Sequence, residues 1–153
     1  MLTVCNIKLT EETIMLHLEH LNLVVADIEK SLKFYRSAFP EWRIRGGGEQ
    51  DWYGTKRNWI HFGDDYHYLA LCDGGVGENR DLTGHKIGLA HFAYVTSDIA
   101  GVTKRLQNAG FAVAIEGADE AHKKNVYFID PDGFEIEFVE YLSDLPSQRN
   151  TYD

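Results

Sequence analysis

The chain contains itself twice. Residues 18–39 (LEHLNLVVADIEKSLKFYRSAF) lie over residues 89–110 (LAHFAYVTSDIAGVTKRLQNAG) without a gap, so that His20 meets His91, Val24 meets Val95, Asp27 meets Asp98 and Ala38 meets Ala109, each 71 residues on. A period that long marks a duplicated half-domain rather than a solenoid. Whatever one copy builds, the other should build again, and this limits the folds open to the chain.

Each copy opens with a β-prone run, Leu18–Val25 or Leu89–Thr96. An aspartate follows where a helix N-cap belongs, Asp27 or Asp98, able to accept from the free N–H groups of the first turn. The helical period comes next. Ile28, Leu32, Tyr35 and Phe39 form one stripe; Ile99, Val102, Leu106 and Ala109 form the other, with Gly110 as its stop signal. These stripes read as core faces packed on a sheet. Short strands then follow near Glu41–Arg45, Arg57–Phe62 and Tyr66–Cys72 in the first copy, and near Ala112–Ile115, Asn125–Ile129 and Phe134–Tyr141 in the second. Turn signals separate the last two strands of each copy, Gly63-Asp64-Asp65 and Asp130-Pro131-Asp132-Gly133. Gly46–Gly48 reads as the start of a flexible polar loop, and Asp73–Gly84 as a glycine-rich linker. The expected fold is α+β: two tandem βαβββ modules, about 14–73 and 85–142, forming one domain over 14–142. One face of each curved sheet packs on its helix and the other looks into a shared concavity. Residues 1–13 and 143–153 are expected to be poorly tied terminal extensions.

Composition narrows the function. The 153 residues carry a net charge of −9, which disfavours nucleic acid and anionic membranes as partners. No run is apolar enough for a membrane span, and the N-terminus has no secretory pattern. The two cysteines, Cys5 and Cys72, make no CxxC pair and fit free thiols in a reducing compartment, so a cytoplasmic location is expected. A small molecule and a second copy of the chain remain as partners. Open sheet edges and two-fold closure favour a homodimer.

The duplication also relates candidate chemistry. The first strands carry His20 and His91, and aligning HYLALCD with FEIEFVE sets Ala70 against Glu137. A lone strand histidine is ordinarily structural and a lone glutamate ordinarily solvated. Two histidines at equivalent positions of a repeat raise the metal reading to parity with the structural one. Two imidazoles and one carboxylate form a facial set suited to Fe(II), Mn(II) or a similar divalent ion, with positions left for substrate. Tyr127 is either an oxyanion donor or a packed strand residue. His122 is either an acid/base or a solvated loop residue. Trp52, Tyr53, Trp59 and Tyr68 are core aromatics or the sides of a pocket. His61 and His67 are a weaker second cluster, and Cys72 shares the strand parity of Ala70.

HLNLVVADIEKSLKFYRSAF resembles the opening of vicinal-oxygen-chelate domains, the superfamily of glyoxalase I, bleomycin-resistance proteins, fosfomycin-resistance enzymes and extradiol dioxygenases. NVYFIDPDGFEIEFVE resembles the closing strand pair of the same family. The resemblance implies that His20, His91 and Glu137 are metal ligands for Fe(II) or Mn(II), with Zn(II) or Ni(II) as alternatives. It also implies that the site can be built across two chains. The fourth ligand of glyoxalase I falls at Ala70, which cannot coordinate, and this counts against a lactoylglutathione lyase. The remaining His-His-Glu set resembles extradiol dioxygenases and fosfomycin thiol transferases. Tyr127 and His122 are the catalytic candidates, and Trp59, Tyr68 and Lys124 the substrate-binding ones. The expected function is therefore a metal-dependent, dioxygenase-like enzyme. The alternatives are a lyase or thiol transferase, or a metal-free binding protein of the bleomycin-resistance kind.

Overall fold

A computed structural model describes residues 16–118, 120–150 and 152. The duplication is visible at once in the element order. The first half runs β1 (His20–Val24), α1 (Ile28–Ala38), β2 (Arg43–Trp52), β3 (Thr55–Gly63) and β4 (Tyr68–Cys72). The second half runs β5 (Phe92–Val95), α2 (Ile99–Asn108), β6 (Val113–Glu116), β7 (Lys123–Ile129) and β8 (Glu135–Tyr141), followed by a short α3 (Pro146–Arg149). Each half forms a four-stranded mixed sheet, ordered β1-β4-β3-β2 and β5-β8-β7-β6. The first strand pairs in parallel with the last, and the remaining pairs are antiparallel. This is the α+β fold of two βαβββ modules that the repeat predicts.

The register supports the alignment of the last strands. Asn22 pairs with Ala70 in the first sheet, and Ala93, its counterpart 71 residues on, pairs with Glu137 in the second. Position 70 and position 137 are therefore equivalent.

Both helices begin as the sequence predicts. The Asp27 carboxylate accepts from the N–H groups of Glu29 and Lys30, and the Asp98 carboxylate from that of Gly101. Beyond the end of α2, Gly110 takes φ 96°, the left-handed conformation that favours glycine just after a helix. Leu32, Phe34 and Tyr35 of α1 and Val102 and Leu106 of α2 are buried. They join Leu69, Leu71, Phe128, Ile136 and Phe138 in one core that draws on both halves. Alternation along each strand sends these residues to the packed face and leaves the residues between them on the inner face.

The turn between β7 and β8 clasps the first helix. Asp130, buried in the core, accepts a 2.8 Å hydrogen bond from the Tyr35 hydroxyl through one carboxylate oxygen. Its other oxygen accepts from the N–H groups of Asp132 and Phe134 at 2.9 Å. Asp132 accepts from the Ala26 N–H at 2.8 Å and the Ser31 hydroxyl at 3.0 Å. Gly133, with φ 82°, closes the turn. The aspartates of this turn thus join residues about a hundred positions apart in sequence.

Two expectations need correction. Gly46–Gly48 is not a loop but the middle of β2, an edge strand paired with β3 through Trp52↔Thr55 and turned at Tyr53-Gly54. The register shifts between Ile44 and Gly46, and a Cβ on Gly47 would stand 2.6 Å from the Trp59 carbonyl oxygen. Glycine here marks a bulged, closely approached strand. Residues 143–150 follow β8 and carry α3: Ser143 bonds Gln148, and the Arg149 guanidinium lies 4.0 Å from the centre of the Tyr141 ring. Residues 1–13 lie outside the described residues.

The second correction concerns the shared concavity. Each inner face lines a cavity of its own. Among the described residues, one, of about 510 Å³, is lined by residues between Asn22 and Cys72, and the other, of about 540 Å³, by residues between Ala93 and Asn150. A groove of about 450 Å³ does span the halves, bringing His20 and Tyr68 to residues 92–95, but neither His91 nor Glu137 lines it. The clasp and the contacts of α1 with α2 hold the halves together through their packed sides, which leaves the inner faces apart.

Candidate metal and substrate site

The second inner face gathers the closest set of candidate ligands. Glu137 of β8 and Tyr127 of β7 are register partners, so they share a face, and His91 stands at the entry to β5 beside them. The His91 Nε2 lies 3.3 Å from the Glu137 Oε2. Two donors each about 2.1 Å from one ion and at right angles are about 3 Å apart, so this spacing fits adjacent ligands of a divalent metal. The other Glu137 oxygen accepts from the Asn125 amide at 2.9 Å, an outer partner of the kind that fixes a ligating carboxylate. The Asn125 amide also stands 3.2 Å from the Tyr127 hydroxyl, and the Tyr127 ring meets His91 edge-on at 5.6 Å. Glu135 places a second carboxylate 3.8 Å from the His91 Nδ1. Burial first, and then the Glu137 carboxylate, raise the Tyr127 phenol above its ordinary value. A raised phenol keeps its proton near neutral pH, so Tyr127 can donate a hydrogen bond more readily than it can act as a base.

His20 occupies the equivalent place on the first inner face. Its ring stacks on Tyr68 at 4.7 Å, and Tyr68 in turn meets His61 at 4.4 Å. His61 is the register partner of Ala70, as Tyr127 is of Glu137, so the duplication sets His61 against Tyr127. Desolvation, followed by the nearby His20 and Arg45, lowers the His61 imidazole below its ordinary value. Ala70 and Cys72 line the first cavity, as strand parity predicts, together with Trp59, Trp52 and Arg57. Burial raises the Cys72 thiol, which leaves it un-ionised and a poor nucleophile.

Among the described residues, no three His, Cys, Asp or Glu side chains of one chain converge on a point. His91 and Glu137 are together, and His20 is on the other sheet. Tyr127 accompanies the pair. His122 does not: it is exposed in the turn before β7, five residues from Tyr127 and thus about 16 Å away along an extended strand. Lys124 shares the parity of Val126 and Phe128, so it belongs to the packed side of the sheet and not to the inner face. Trp59 and Tyr68 are both on the first inner face. His67 lies just before β4, 5.8 Å from the ring of His17, apart from His61. Sequence reasoning missed Arg57 and the place of Asn125 beside Glu137. Alternation would have placed both on the inner faces, Asn125 two residues before Tyr127 and Arg57 two before Trp59.

The chain belongs to the Glyoxalase/Bleomycin resistance protein/Dioxygenase superfamily, whose family model matches residues 17–138. Solved structures share the fold. A glyoxalase/bleomycin resistance protein/dioxygenase domain from Frankia sp. EAN1pec is 22% identical with a TM-score of 0.68, covering 83% of this chain and 98% of that one. A variant of the fosfomycin resistance protein FosX from Listeria monocytogenes, complexed with Mn(II) and 1S,2S-dihydroxypropylphosphonic acid, is 17% identical with a TM-score of 0.66, covering 90% and 100%. The trypanothione-dependent glyoxalase I of Leishmania major is 19% identical with a TM-score of 0.62, covering 82% and 87%. No helix among the described residues is long and apolar enough to cross a membrane.

Proposed function

We propose that the chain is a divalent-metal-dependent enzyme that holds a small molecule through two adjacent oxygens. Its protein ligands are His91 and Glu137 of one copy and His20 of a second copy. The observation that carries this is the 3.3 Å His91–Glu137 pair, oriented by Asn125, together with an equivalent His20 that one chain does not bring to it. A two-fold homodimer that sets the first inner face of one copy against the second inner face of the other completes two such sites by one symmetry operation. Fe(II) or Mn(II) suits the His-His-Glu set best, with Zn(II) or Ni(II) as alternatives. When bound, such an ion polarises the substrate oxygens and leaves positions open beside them.

The chain's own groups divide the remaining work. Tyr127, protonated, donates a hydrogen bond to an oxygen that gains charge. His61, neutral near pH 7, accepts a proton from a substrate hydroxyl. Trp52 and Trp59 give the substrate a dry wall. These features favour a ring-cleaving, dioxygenase-type reaction on a catecholic or enediol compound. A second reading is addition of water or a thiol to an epoxide, with oxygen irrelevant. It is favoured by the Mn(II) and phosphonic acid held by the structurally similar FosX, and by Arg45, which lies over Tyr68 on the first inner face.

Elemental analysis of protein purified without added metal is the first test, and oxygen uptake with Fe(II)-loaded protein on a panel of catechols the second. Bound metal with oxygen uptake is the expected result. Bound metal without uptake on any catechol refutes the dioxygenase reading in favour of epoxide chemistry. Protein that takes up no divalent ion is a binding protein.

A further inference from the structure

The first inner face carries a binding surface that the metal ligands do not use. Along β3, residues Arg57, Trp59 and His61 alternate onto this face, and across the sheet their rows continue through Cys72 and Ala70 to Val24 and Asn22. Trp52 joins them from the end of β2. The cavity they line, about 510 Å³, is of the size that takes a small organic ligand.

Arg57 is the unusual member. Its Nε is shut off from solvent and, among the described residues, has no hydrogen-bond partner. Among the described residues its guanidinium makes no ion pair, although the chain carries a net charge of −9. It lies 5.9 Å from the centre of the Trp52 ring, and its side chain runs beneath Gly74, where an added Cβ would stand 3.4 Å from Nε. The adjacent carboxylate of Asp73 is already taken, accepting from the Asn58 N–H and side-chain amide at 2.8 Å each. Among the described residues, no aspartate or glutamate lines the cavity. A half-buried, forked donor whose Nε is shut away without an acceptor, set among aromatic rings, suits a planar anion.

We propose that this cavity binds an extended aromatic carboxylate, its rings against Trp52 and Trp59 and its carboxylate on Arg57. Arg57 and His61 are four residues apart on an extended strand, about 13 Å, so the carboxylate and the end of the ligand facing the histidines stand more than one ring apart. A bicyclic acid, or a single ring with a carboxylate arm, spans that length; benzoate does not. This names the substrate class for the enzyme proposed above and rests on that reading for the chemistry at the far end. The binding itself needs only the first inner face.

The test uses metal-stripped, full-length protein and calorimetry, with 2-naphthoate as probe, 2-naphthamide as its neutral twin and benzoate as the short control. Naphthoate is expected to bind at least tenfold more tightly than either. Arg57→Met should bring naphthoate down to the level of the amide, Arg57→Lys should keep part of the preference, and Trp59→Leu should weaken both naphthalenes. Naphthoate should also slow alkylation of Cys72, driven at alkaline pH where its raised thiol ionises and followed by peptide mass analysis, which places the ligand in this cavity. Equal binding of acid and amide overturns the proposal. So does an undiminished preference in folded Arg57→Met, or alkylation of Cys72 that naphthoate does not slow. His91→Ala separates this from the metal reading: it should lose metal and keep naphthoate. Naphthoate binding by a chain that takes no metal leaves the cavity assigned and the enzyme reading refuted.

Discussion

Replacing Tyr35 with phenylalanine removes one hydroxyl and nothing else, and that hydroxyl is the buried tie between the halves. Tyr35 is wholly buried and donates at 2.8 Å to Asp130, itself 4% exposed. In Tyr35→Phe the Asp130 Oδ1 keeps the N–H groups of Asp132 and Phe134, while Oδ2 loses its donor in a place water does not reach. A hydrogen bond to a charged group contributes about 1.5–3 kcal/mol, and the variant should lose that much near neutral pH. The loss should depend on pH. Burial raises the Asp130 carboxyl above its ordinary value, and the Tyr35 hydroxyl works against that rise. Without the hydroxyl, the carboxyl rises further. A carboxyl raised in the folded state holds its proton more tightly there than in the unfolded chain. Its contribution is complete below the ordinary carboxylate value and is lost as pH climbs through the raised one. The variant should therefore fall further behind the parent as pH rises from about 4 to 7 and approach a neutral-bond difference of about 1 kcal/mol at the acid end. Urea unfolding of both proteins at several pH values measures this, with unchanged m-values required for the comparison. A difference below about 0.5 kcal/mol at pH 7, or one that shrinks as pH rises, would falsify the account of the clasp.

Other expectations can be checked alongside. His91→Ala and His20→Ala should each weaken divalent-metal binding tenfold or more in a titration while circular dichroism stays that of the parent; unchanged affinity makes the histidine structural. Ala70→Glu should fold, because Ala70 lines the first cavity, and should tighten a hard divalent ion while depressing any reaction that needs an open position; an unfolded spectrum contradicts the placement of Ala70 on the inner face of β4. Asp27→Ala removes the acceptor for two N–H groups of α1 and should cost about 1 kcal/mol in urea unfolding. Light scattering at micromolar protein should give the mass of two chains, and a monomer carrying full metal excludes the shared site.

Much of this was legible in the sequence because a duplication checks itself. Two aspartates at matching places mark two helix starts, and both cap as expected. Parity along the last strands placed Ala70, Cys72 and Glu137 on inner faces, since alternation is a strict consequence of strand geometry. The same rule applied to β7 excludes Lys124, whose charge and loop-like neighbours suggest a binding role that its parity denies. The glycines of β2 misled because low strand propensity is a local signal, whereas their pairing with β3 depends on a close approach set elsewhere in the fold. The relation of the halves was beyond reach. Nothing local shows that the Asp130–Gly133 turn grips α1, and that grip determines which faces are left apart.

The equivalence of positions 70 and 137 reaches past the question of ligands. Each pairs with the same strand neighbour in its own half, Asn22 or Ala93, and each has an inner-face companion, His61 or Tyr127. One scaffold therefore offers two addresses for a side chain, and only one now holds a carboxylate. Ala70→Glu combined with Glu137→Ala would move that carboxylate to the other address without altering the composition or the net charge. The backbone would treat the two arrangements alike, and only the neighbours, His61 and Trp59 with His20 at one address and Tyr127 and Asn125 with His91 at the other, would tell them apart.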